Sequence, residues 1–343
     1  MPMLPVLLLS LLSTAYAADG DKKEDEKKYP SVKPGMLVYG QWGMNLSEGA
    51  NGANAFDLTR AYFFAKADLS NTVAMRITLD ADRQKAQTLT LTNADGTTTD
   101  YTVAADPKMR VFVKHAYAEW KAAEGIKLRA GMTDTAWTSM YDGFVNTRYL
   151  FKSPADANKF VSTADLGLQV HGEHAKGLVN WQAGVINGEG FANPEIDASK
   201  TIQARVTIDP LAGKEKKMGL PISAFFSQDV GGEGEPVTLY SGAVGFKMPA
   251  LAAWAEYDGK SQAGEGSSII SATVVPKIPK VMYFVARFDR FDASSADGDE
   301  AMTIVGGVGK DFMDKVSAAA TFERTSVGDA ATQGLYLKMQ AGF

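Results

Sequence analysis

The sequence predicts an all-β fold, a transmembrane, antiparallel, up-and-down β-barrel of about sixteen strands. Short segments in which apolar and polar residues alternate recur along almost the whole chain, which is the pattern of strands with two different faces. Brief connections and long polar loops follow each other in alternation between these segments, as in outer-membrane barrels. The chain also ends on an aromatic residue inside such a segment, Gly334 to Phe343, whereas soluble domains usually end on polar, frayed residues.

Residues 1–17 have the pattern of a cleavable signal peptide. An apolar core from Leu4 to Leu12 precedes Ala15-Tyr16-Ala17, a small-x-small cleavage site. We therefore expect export, with a mature chain that starts near Ala18; a short buried helix is the alternative. Residues 18–35 carry mixed charges and two prolines and cannot bury apolar surface. They are predicted to form a charged, flexible periplasmic lead-in, with a contact to peptidoglycan or a partner as the alternative.

The remainder, residues 36–343, is predicted to form the barrel. Most of its alternating segments are about ten residues long, which is the length that a tilted strand needs to cross a bilayer. An even number of strands places both chain termini of the barrel on the same side of the membrane. The predicted strands cover residues 36–46, 56–68, 72–83, 109–121, 126–135, 163–173, 177–187, 200–209, 219–228, 237–248, 250–258, 267–276, 280–290, 301–310, 315–324 and 334–343.

The connections differ in length on the two sides of the predicted barrel. Tight connections are expected at residues 69–72, 122–125, 247–250, 276–280 and 310–315. Long polar connections are expected at residues 45–55, 83–108, 135–161, 187–199, 228–236, 258–267, 291–300 and 325–333. Short periplasmic turns opposite long extracellular loops are typical of outer-membrane barrels, and a two-sheet sandwich has no reason to show this regularity. The connection 210–219 is the exception on the short side, because charged residues lengthen it.

Residues 200–209 show the two faces of a strand clearly. Ile202, Val206 and Ile208 share one face, and Gln203 and Arg205 share the other. A soluble sheet would alternate in the same way with its apolar face inward, so a secreted soluble β-protein remains an alternative. A soluble sheet of sixteen strands is rare, which favours the membrane barrel. The alternation is blurred in the predicted strands 109–121, 237–248 and 301–310, so their register stays open.

Composition excludes several other classes of protein. The 343 residues carry a formal net charge of −5, which argues against general binding of nucleic acid. The chain has no cysteine, and therefore neither a disulfide framework nor a thiolate nucleophile. After the amino terminus, no stretch approaches the roughly 18 consecutive apolar residues of a membrane-spanning helix.

Residues suited to catalysis or metal binding are few. His171 and His174 stand three positions apart, a spacing that suits a metal site on a helix but not on a strand, where the two side chains point to opposite faces. A barrel hydrolase would need a Ser–His pair with an orienting group, and neither His115 nor His171 is placed beside a serine by its pattern. GGVGK at 306–310 lacks the rest of a phosphate-binding loop. We expect no cofactor, no metal and no enzymatic activity, with an outer-membrane lipase or protease as the alternative.

An early hairpin carries the most distinctive motif of the chain. FDLTRAYFFAKADLSNTVAMRITLDAD at 56–82 reads as an arginine-containing strand, a short turn and a strand that ends in acidic residues. It resembles the early hairpin of the phosphate-selective porin O and P family, and the similarity extends to LRAGMTDTAW at 128–137. The resemblance implies a sixteen-stranded barrel, a homotrimer, and a third long loop, Thr135–Val161, folded into the lumen as a constriction. By position, the constriction residues are Tyr141, Asp142, Arg148, Lys152 and Asp156.

Charged residues on the polar faces of the strands are predicted to line the pore. Rings of basic side chains favour anions, and arginine keeps its charge in a confined pore. Basic residues exceed acidic ones on these faces, so we expect a weak anion preference; pairing of arginines with carboxylates across the lumen is the alternative. The candidate pore-lining and substrate-binding residues are Arg60, Lys66, Arg76, Asp80, Lys127, Arg129, Arg205, Arg287 and Asp289.

Together these features favour an outer-membrane porin of a Gram-negative bacterium, through which small hydrophilic solutes or ions diffuse passively. The expected partners are outer-membrane lipid, lipopolysaccharide and small anionic or neutral solutes, and not nucleic acid. The resemblance further implies that a barrel-assembly machinery reads the last strand, with Phe343 as the assembly signal.

Overall fold

The computed structural model describes residues 28–84, 87–92, 98–195, 198–213, 218–232, 235–294 and 300–343. The predicted signal peptide, residues 1–17, and the lead-in up to residue 27 lie outside the described residues. The charged residues 214–217 of one predicted turn and residues 295–299 of one predicted loop also lie outside them.

Within the described residues, sixteen antiparallel strands form one closed barrel, which confirms the predicted fold class. A separate two-stranded hairpin, β4 (Gln87–Thr92) with β5 (Thr98–Val103), stands between the third and fourth barrel strands. The barrel strands are β1 (Ser31–Asn45), β2 (Asn54–Asp68), β3 (Val73–Gln84), β6 (Asp106–Ala123), β7 (Ile126–Asp134), β8 (Ala164–His174), β9 (Val179–Ile186), β10 (Lys200–Ile208), β11 (Ile222–Val230), β12 (Thr238–Met248), β13 (Leu251–Gln262), β14 (Glu265–Ile278), β15 (Met282–Asp292), β16 (Ala301–Met313), β17 (Val316–Val327) and β18 (Ala330–Gly342).

The last strand closes the barrel against the first. Leu37 pairs with Gly342 at one end of this ladder and Asn45 pairs with Gly334 at the other. The backbone N–H of Phe343 donates to the carbonyl oxygen of Met36 at 3.1 Å. Closure pairs the backbone groups that a sheet edge would leave free.

Several elements are longer than the sequence predicts. β1 begins at Ser31 rather than at the predicted residue 36. The connections expected at 258–267 and 325–333 are not long loops, since β13–β14 and β17–β18 extend into tight hairpins. Ala263 and Gly264 both have positive φ, 53° and 81°, as a two-residue turn of type I′ requires. The loop expected at 83–108 carries the unpredicted hairpin β4–β5.

The two faces of the barrel have opposite character. On β10, the outward side chains Ile202, Val206 and Ile208 are 46%, 44% and 48% exposed, whereas the inward Gln203 is 2% exposed. A water-soluble sheet shows the reverse arrangement, because burial of apolar surface away from water drives its folding. An apolar outer face around a polar interior is the arrangement of a barrel surrounded by lipid.

The connection between β7 and β8 carries two helices, α1 (Thr138–Val145) and α2 (Pro154–Ala157). This third long loop folds into the barrel, as the resemblance implies, and forms a core of buried apolar residues with the inner wall. In this core Trp137 of the loop stacks on Phe225 of β11, and Tyr141 of the loop meets Trp254 of β13. Among the described residues, no helix is long and apolar enough to cross a membrane.

Candidate functional site

The third long loop, residues 135–161, narrows the lumen and is called the constriction loop below. Side chains of the wall turn its beginning inward. The amides of Gln169 and Gln182 donate to the carbonyl oxygen of Asp134 at 3.0 and 3.2 Å. The backbone N–H of Ala136 donates to Oε1 of Gln203 at 3.2 Å. Because these glutamines project from β8, β9 and β10, three successive strands direct the chain away from the rim and into the barrel.

Two aromatic residues fix the first half of the loop to the opposite wall. The indole N–H of Trp137 donates to Oδ1 of Asp258 at 2.8 Å. The hydroxyl of Tyr141 lies 2.9 Å from that of Thr273, and its ring meets Trp254 edge-on with the centroids 6.0 Å apart. The rings are buried and their polar atoms are bonded, so the loop is packed as part of the core.

A glycine of β12 lies where α1 approaches the wall closely. A Cβ on Gly245 would lie 2.7 Å from the ring of Phe144 and 2.8 Å from that of Trp254, so a larger residue would displace a ring. Nζ of Lys247, two residues further on, donates to the carbonyl oxygen of Phe144 at 2.9 Å. This places a cation at the carboxyl end of α1, where the helix dipole favours positive charge.

Cations of the wall hold the second half of the loop. Arg287 donates to the carbonyl oxygen of Lys152 and forms a salt bridge with Asp289 at 2.6 Å. Nζ of Lys338 donates to the carbonyl oxygen of Leu150. Arg287 and Asp289 project from the lumen face of β15, but the loop covers them and leaves them 4% and 6% exposed. The hydroxyl of Ser271 of β14 also donates to Oδ1 of Asp289 at 2.6 Å, so the two side chains contact the loop, the wall and each other.

An ion-pair cluster organises the inside of the loop. Arg148 lies 2.7 Å from a carboxylate oxygen of Asp156 and 3.5 Å from one of Asp142. Nζ of Lys152 lies 3.6 Å from the second oxygen of Asp156. Burial raises the pKa of Asp142 to about 6, against the opposing attraction of Arg148. The charge of the cluster therefore changes close to neutral pH.

An opening remains between the loop and the part of the wall formed by β1–β3, β6 and β7. It is a cavity of about 240 Å³, called the constriction cavity below. Its lining combines aromatic and apolar side chains with cations, hydroxyls and two carboxylates. Its lining residues are Leu37, Tyr39, Tyr62, Phe64, Arg76, Thr78, Lys114, His115, Asp134, Thr138, Ser139, Asp142, Arg148 and Thr163.

Several predicted pore-lining charges are paired within the wall. Arg60 forms a salt bridge with Asp80 at 3.1 Å. Glu119 binds Nε of Arg129 at 2.7 Å, and Nζ of Lys127 lies 3.8 Å from the same carboxylate. Each of these pairs joins neighbouring strands of the wall and does not cross the lumen, so it differs from the pairing across the lumen that the sequence leaves open.

The other predicted cations have different surroundings. Nη1 of Arg205 lies 3.4 Å from the sulfur of Met140, so this arginine contacts the constriction loop. Lys66 is exposed and stands opposite Arg76 in the β2–β3 ladder. Nε of Arg76 donates to the Thr78 hydroxyl at 3.0 Å, and its side chain lines the constriction cavity.

Lys114 is a lining residue that the sequence did not reveal. The β3–β6 register shifts here: Leu79 pairs with Val113 and Thr78 pairs with His115, which leaves Lys114 as an extra residue in a β-bulge. Two consecutive side chains, Lys114 and His115, therefore enter the lumen, where they are 6% and 5% exposed. This bulge explains why the alternation of apolar and polar residues is blurred at 109–121.

The histidines do not come together. Nε2 of His115 lies 2.8 Å from Oδ1 of Asp134. His171 lies within β8, whereas His174 ends this strand and stacks on Trp181 with the ring centroids 6.5 Å apart. In the part of the chain that the structure describes, no group of three or more His, Cys, Asp or Glu residues is placed to hold a metal ion.

The barrel is similar in fold to solved outer-membrane proteins, porins among them. OmpF of Salmonella typhi, in complex with daunomycin, has a TM-score of 0.63 at 9% identity, covering 92% of this chain and 98% of that chain. OmpT, an outer membrane protein of Vibrio cholerae, has a TM-score of 0.61 at 10% identity, covering 93% and 99%. The anion-selective porin of Comamonas acidovorans has a TM-score of 0.56 at 11% identity, covering 91% and 99%. No family model matches the sequence, and no curated protein is significantly similar to it.

Proposed function

We propose that this chain is an outer-membrane porin through which small hydrophilic solutes and ions diffuse passively. The observation that carries the proposal is the constriction loop, which is anchored across the lumen and leaves a lined opening beside β1–β3, β6 and β7. A polar lumen of this kind conducts solutes down their gradient without a chemical step, and its lining charges set the selectivity.

The same proposal includes a weak preference for anions. Arg76, Lys114 and Arg148 line the constriction cavity, whereas its carboxylates Asp134 and Asp142 face His115 and Arg148. We also propose kinship with the phosphate-selective porin O and P family, which rests on residues 56–82. These residues form β2, a tight turn and β3, as in the hairpin that they resemble.

We extend the proposal to the cellular setting. The chain is exported by residues 1–17 to the outer membrane of a Gram-negative bacterium, where it contacts lipid and lipopolysaccharide. The barrel-assembly machinery recognises its last strand, and the barrel assembles as a homotrimer. A structure of Vibrio cholerae OmpT with a similar fold, at a TM-score of 0.57 and 11% identity, is described as a trimer form, which supports this part of the proposal.

Planar bilayers test the channel and its selectivity together. Protein purified in detergent should insert with stepwise conductance, in groups of three for a trimer. The reversal potential in a potassium chloride gradient should have the sign of anion preference. Absence of conductance at high protein load would overturn the porin, whereas clear cation selectivity would overturn only the anion preference.

We further propose that the barrel has no enzymatic activity. His115, the histidine of the constriction cavity, faces a carboxylate of Asp134. Hydrolysis of lipid or peptide substrates by the purified protein, abolished by His115→Ala or His171→Ala, would contradict this part of the proposal.

A further inference from the structure

Lys114 is a buried cation that forms no salt bridge with a described carboxylate. Its ammonium lies 3.4 Å from the hydroxyl of Tyr62, which is a long hydrogen bond. It also lies 5.0 Å from the ring centroid of Tyr62 and 5.4 Å from that of Phe191. An ammonium has three N–H donors, and removing it from water is costly unless a counter-charge or several acceptors replace the water. Asp80 and Asp156 attract this ammonium from a distance, but no described carboxylate contacts it directly.

The nearby carboxylates are already engaged with other cations. These pairs are Asp80 with Arg60 at 3.1 Å, Asp142 with Arg148 at 3.5 Å, and Asp134 with His115 at 2.8 Å. Arg76, a second cation of the constriction cavity, also forms no salt bridge with a described carboxylate and bonds the hydroxyl of Thr78. Two cations of neighbouring strands thus line one cavity without a carboxylate partner of their own.

The adjacent side of the constriction cavity is aromatic. Tyr39 and Tyr62 pack edge to face with their ring centroids 5.8 Å apart, and Phe64 follows on the same strand as Tyr62. The guanidinium of Arg76 lies 5.9 Å from the ring centroid of Phe64, so cation and aromatic surfaces adjoin. Aromatic walls cannot replace the hydration of a small inorganic anion, but they favour a flat apolar group.

We propose that the constriction cavity is a binding site for aromatic monocarboxylates, which cross the proposed pore as preferred solutes. The carboxylate pairs with Lys114 and Arg76, and the ring of the solute packs against Tyr62 and Phe64. A single negative charge on a flat apolar body matches a cavity in which cations and aromatic rings adjoin. The inference rests on the proposed porin function for transport, whereas binding itself can be measured without a membrane.

Binding is tested with 4-fluorobenzoate and the detergent-solubilised protein, by broadening of the fluorine NMR signal. Wild-type protein should broaden the signal in a saturable way, and Lys114→Met should weaken binding about tenfold or more, because a charge-assisted contact is lost. Lys121→Met is the matched control. It removes a lysine that is exposed near the end of the same strand and outside the cavity, and it should bind as wild type does.

A comparison of ligands on the wild-type protein does not depend on the folding of any variant. Benzoate should compete with 4-fluorobenzoate, whereas acetate, which lacks the ring, and benzyl alcohol, which lacks the charge, should compete at least about tenfold more weakly. Equal competition by acetate or by inorganic phosphate would overturn the aromatic part of the proposal. Equal binding by Lys114→Met and wild type would overturn the assignment of Lys114 as the cation that pairs with the solute carboxylate.

Current recordings separate this proposal from the porin proposal. Channels that conduct potassium chloride should carry benzoate with brief, concentration-dependent blocks, which Lys114→Met shortens and Lys121→Met leaves unchanged. Channels that conduct but show neither blocks nor binding would refute the site and leave the porin intact. Saturable binding without any conductance would support the binding site and refute the proposed porin function.

Discussion

Replacing Tyr141 by alanine tests whether the wall holds the constriction loop. The side chain is 2% exposed, bonds the hydroxyl of Thr273 at 2.9 Å and packs edge-on against Trp254. Truncation of a buried aromatic residue to alanine costs about 3–5 kcal/mol. Since a factor of ten corresponds to roughly 1.4 kcal/mol, a loss of about 4 kcal/mol shifts the balance between docked and released loops roughly a thousandfold toward release.

The barrel should survive this substitution, because its strands are paired through their backbones and Tyr141 belongs to none of them. Single-channel recordings of Tyr141→Ala should show a larger mean conductance and added current noise as the loop leaves the wall. Trypsin should cleave the folded variant faster at Arg148 or Lys159, since a released loop reaches the protease.

Two further variants serve as a milder substitution and as a control. Tyr141→Phe keeps the ring and loses the hydroxyl bond, worth about 1 kcal/mol, so its effect should be near fivefold. Tyr240→Ala removes a tyrosine from the outer face of β12, where it is 48% exposed, and should leave conductance and cleavage unchanged. If Tyr141→Ala conducts and resists trypsin as wild type does, the contacts between this residue and the wall do not hold the loop.

Three further predictions concern the charge of the constriction loop, its packing against the wall and the assembly of the barrel. Because burial raises the pKa of Asp142 to about 6, the carboxyl should be neutral at about pH 5 and ionised at about pH 7.5. The anion preference measured by reversal potentials should therefore rise on acidification, and Asp142→Asn should remove that part of the pH dependence. If the pH profiles of Asp142→Asn and wild type are identical, Asp142 does not have this role. Gly245→Val would place a Cβ 2.7 Å from Phe144, so it should lower the free energy of unfolding by about 1–3 kcal/mol and change the conductance. Gly242→Val, on the outward face of the same strand, is its control, and equal effects of the two would refute the packing argument. Deletion of Phe343 should reduce the yield of assembled barrel in membranes while assembled channels keep their ion selectivity; normal yield would exclude this residue as an assembly signal.

The number and order of the strands were predictable because each strand has two chemically different faces. Ile202 and Gln203 are neighbours in sequence and lie on opposite sides of the wall, so alternation alone identifies their strand. The ends of the strands were less predictable. Polar residues between 258 and 267 are typical of a loop, yet they continue β13 and β14 because Ala263-Gly264 form a tight turn beyond the apolar band.

The candidate site was predictable only in part, because strand alternation tells which side chains enter the lumen but not which of them the loop covers. Arg76 and Arg287 have the same pattern in the sequence. Arg76 lines the constriction cavity, whereas Arg287 is buried against the carbonyl of Lys152. That difference depends on contacts between residues more than a hundred positions apart, which no local pattern carries. Lys114 was missed for a local reason, since a bulge breaks the alternation from which faces are inferred.

The bulge at Lys114 also bears on how the selectivity of this barrel can evolve. Leu79 and Thr78 are adjacent on β3, and they already pair with Val113 and His115, the residues on either side of the extra lysine. Deleting Lys114 would therefore join two residues whose partners are contiguous, and the other side chains of β6 would keep their faces. One codon can thus be gained or lost to add or remove a charge from the lumen, without the shift of register that an insertion elsewhere in a strand would cause.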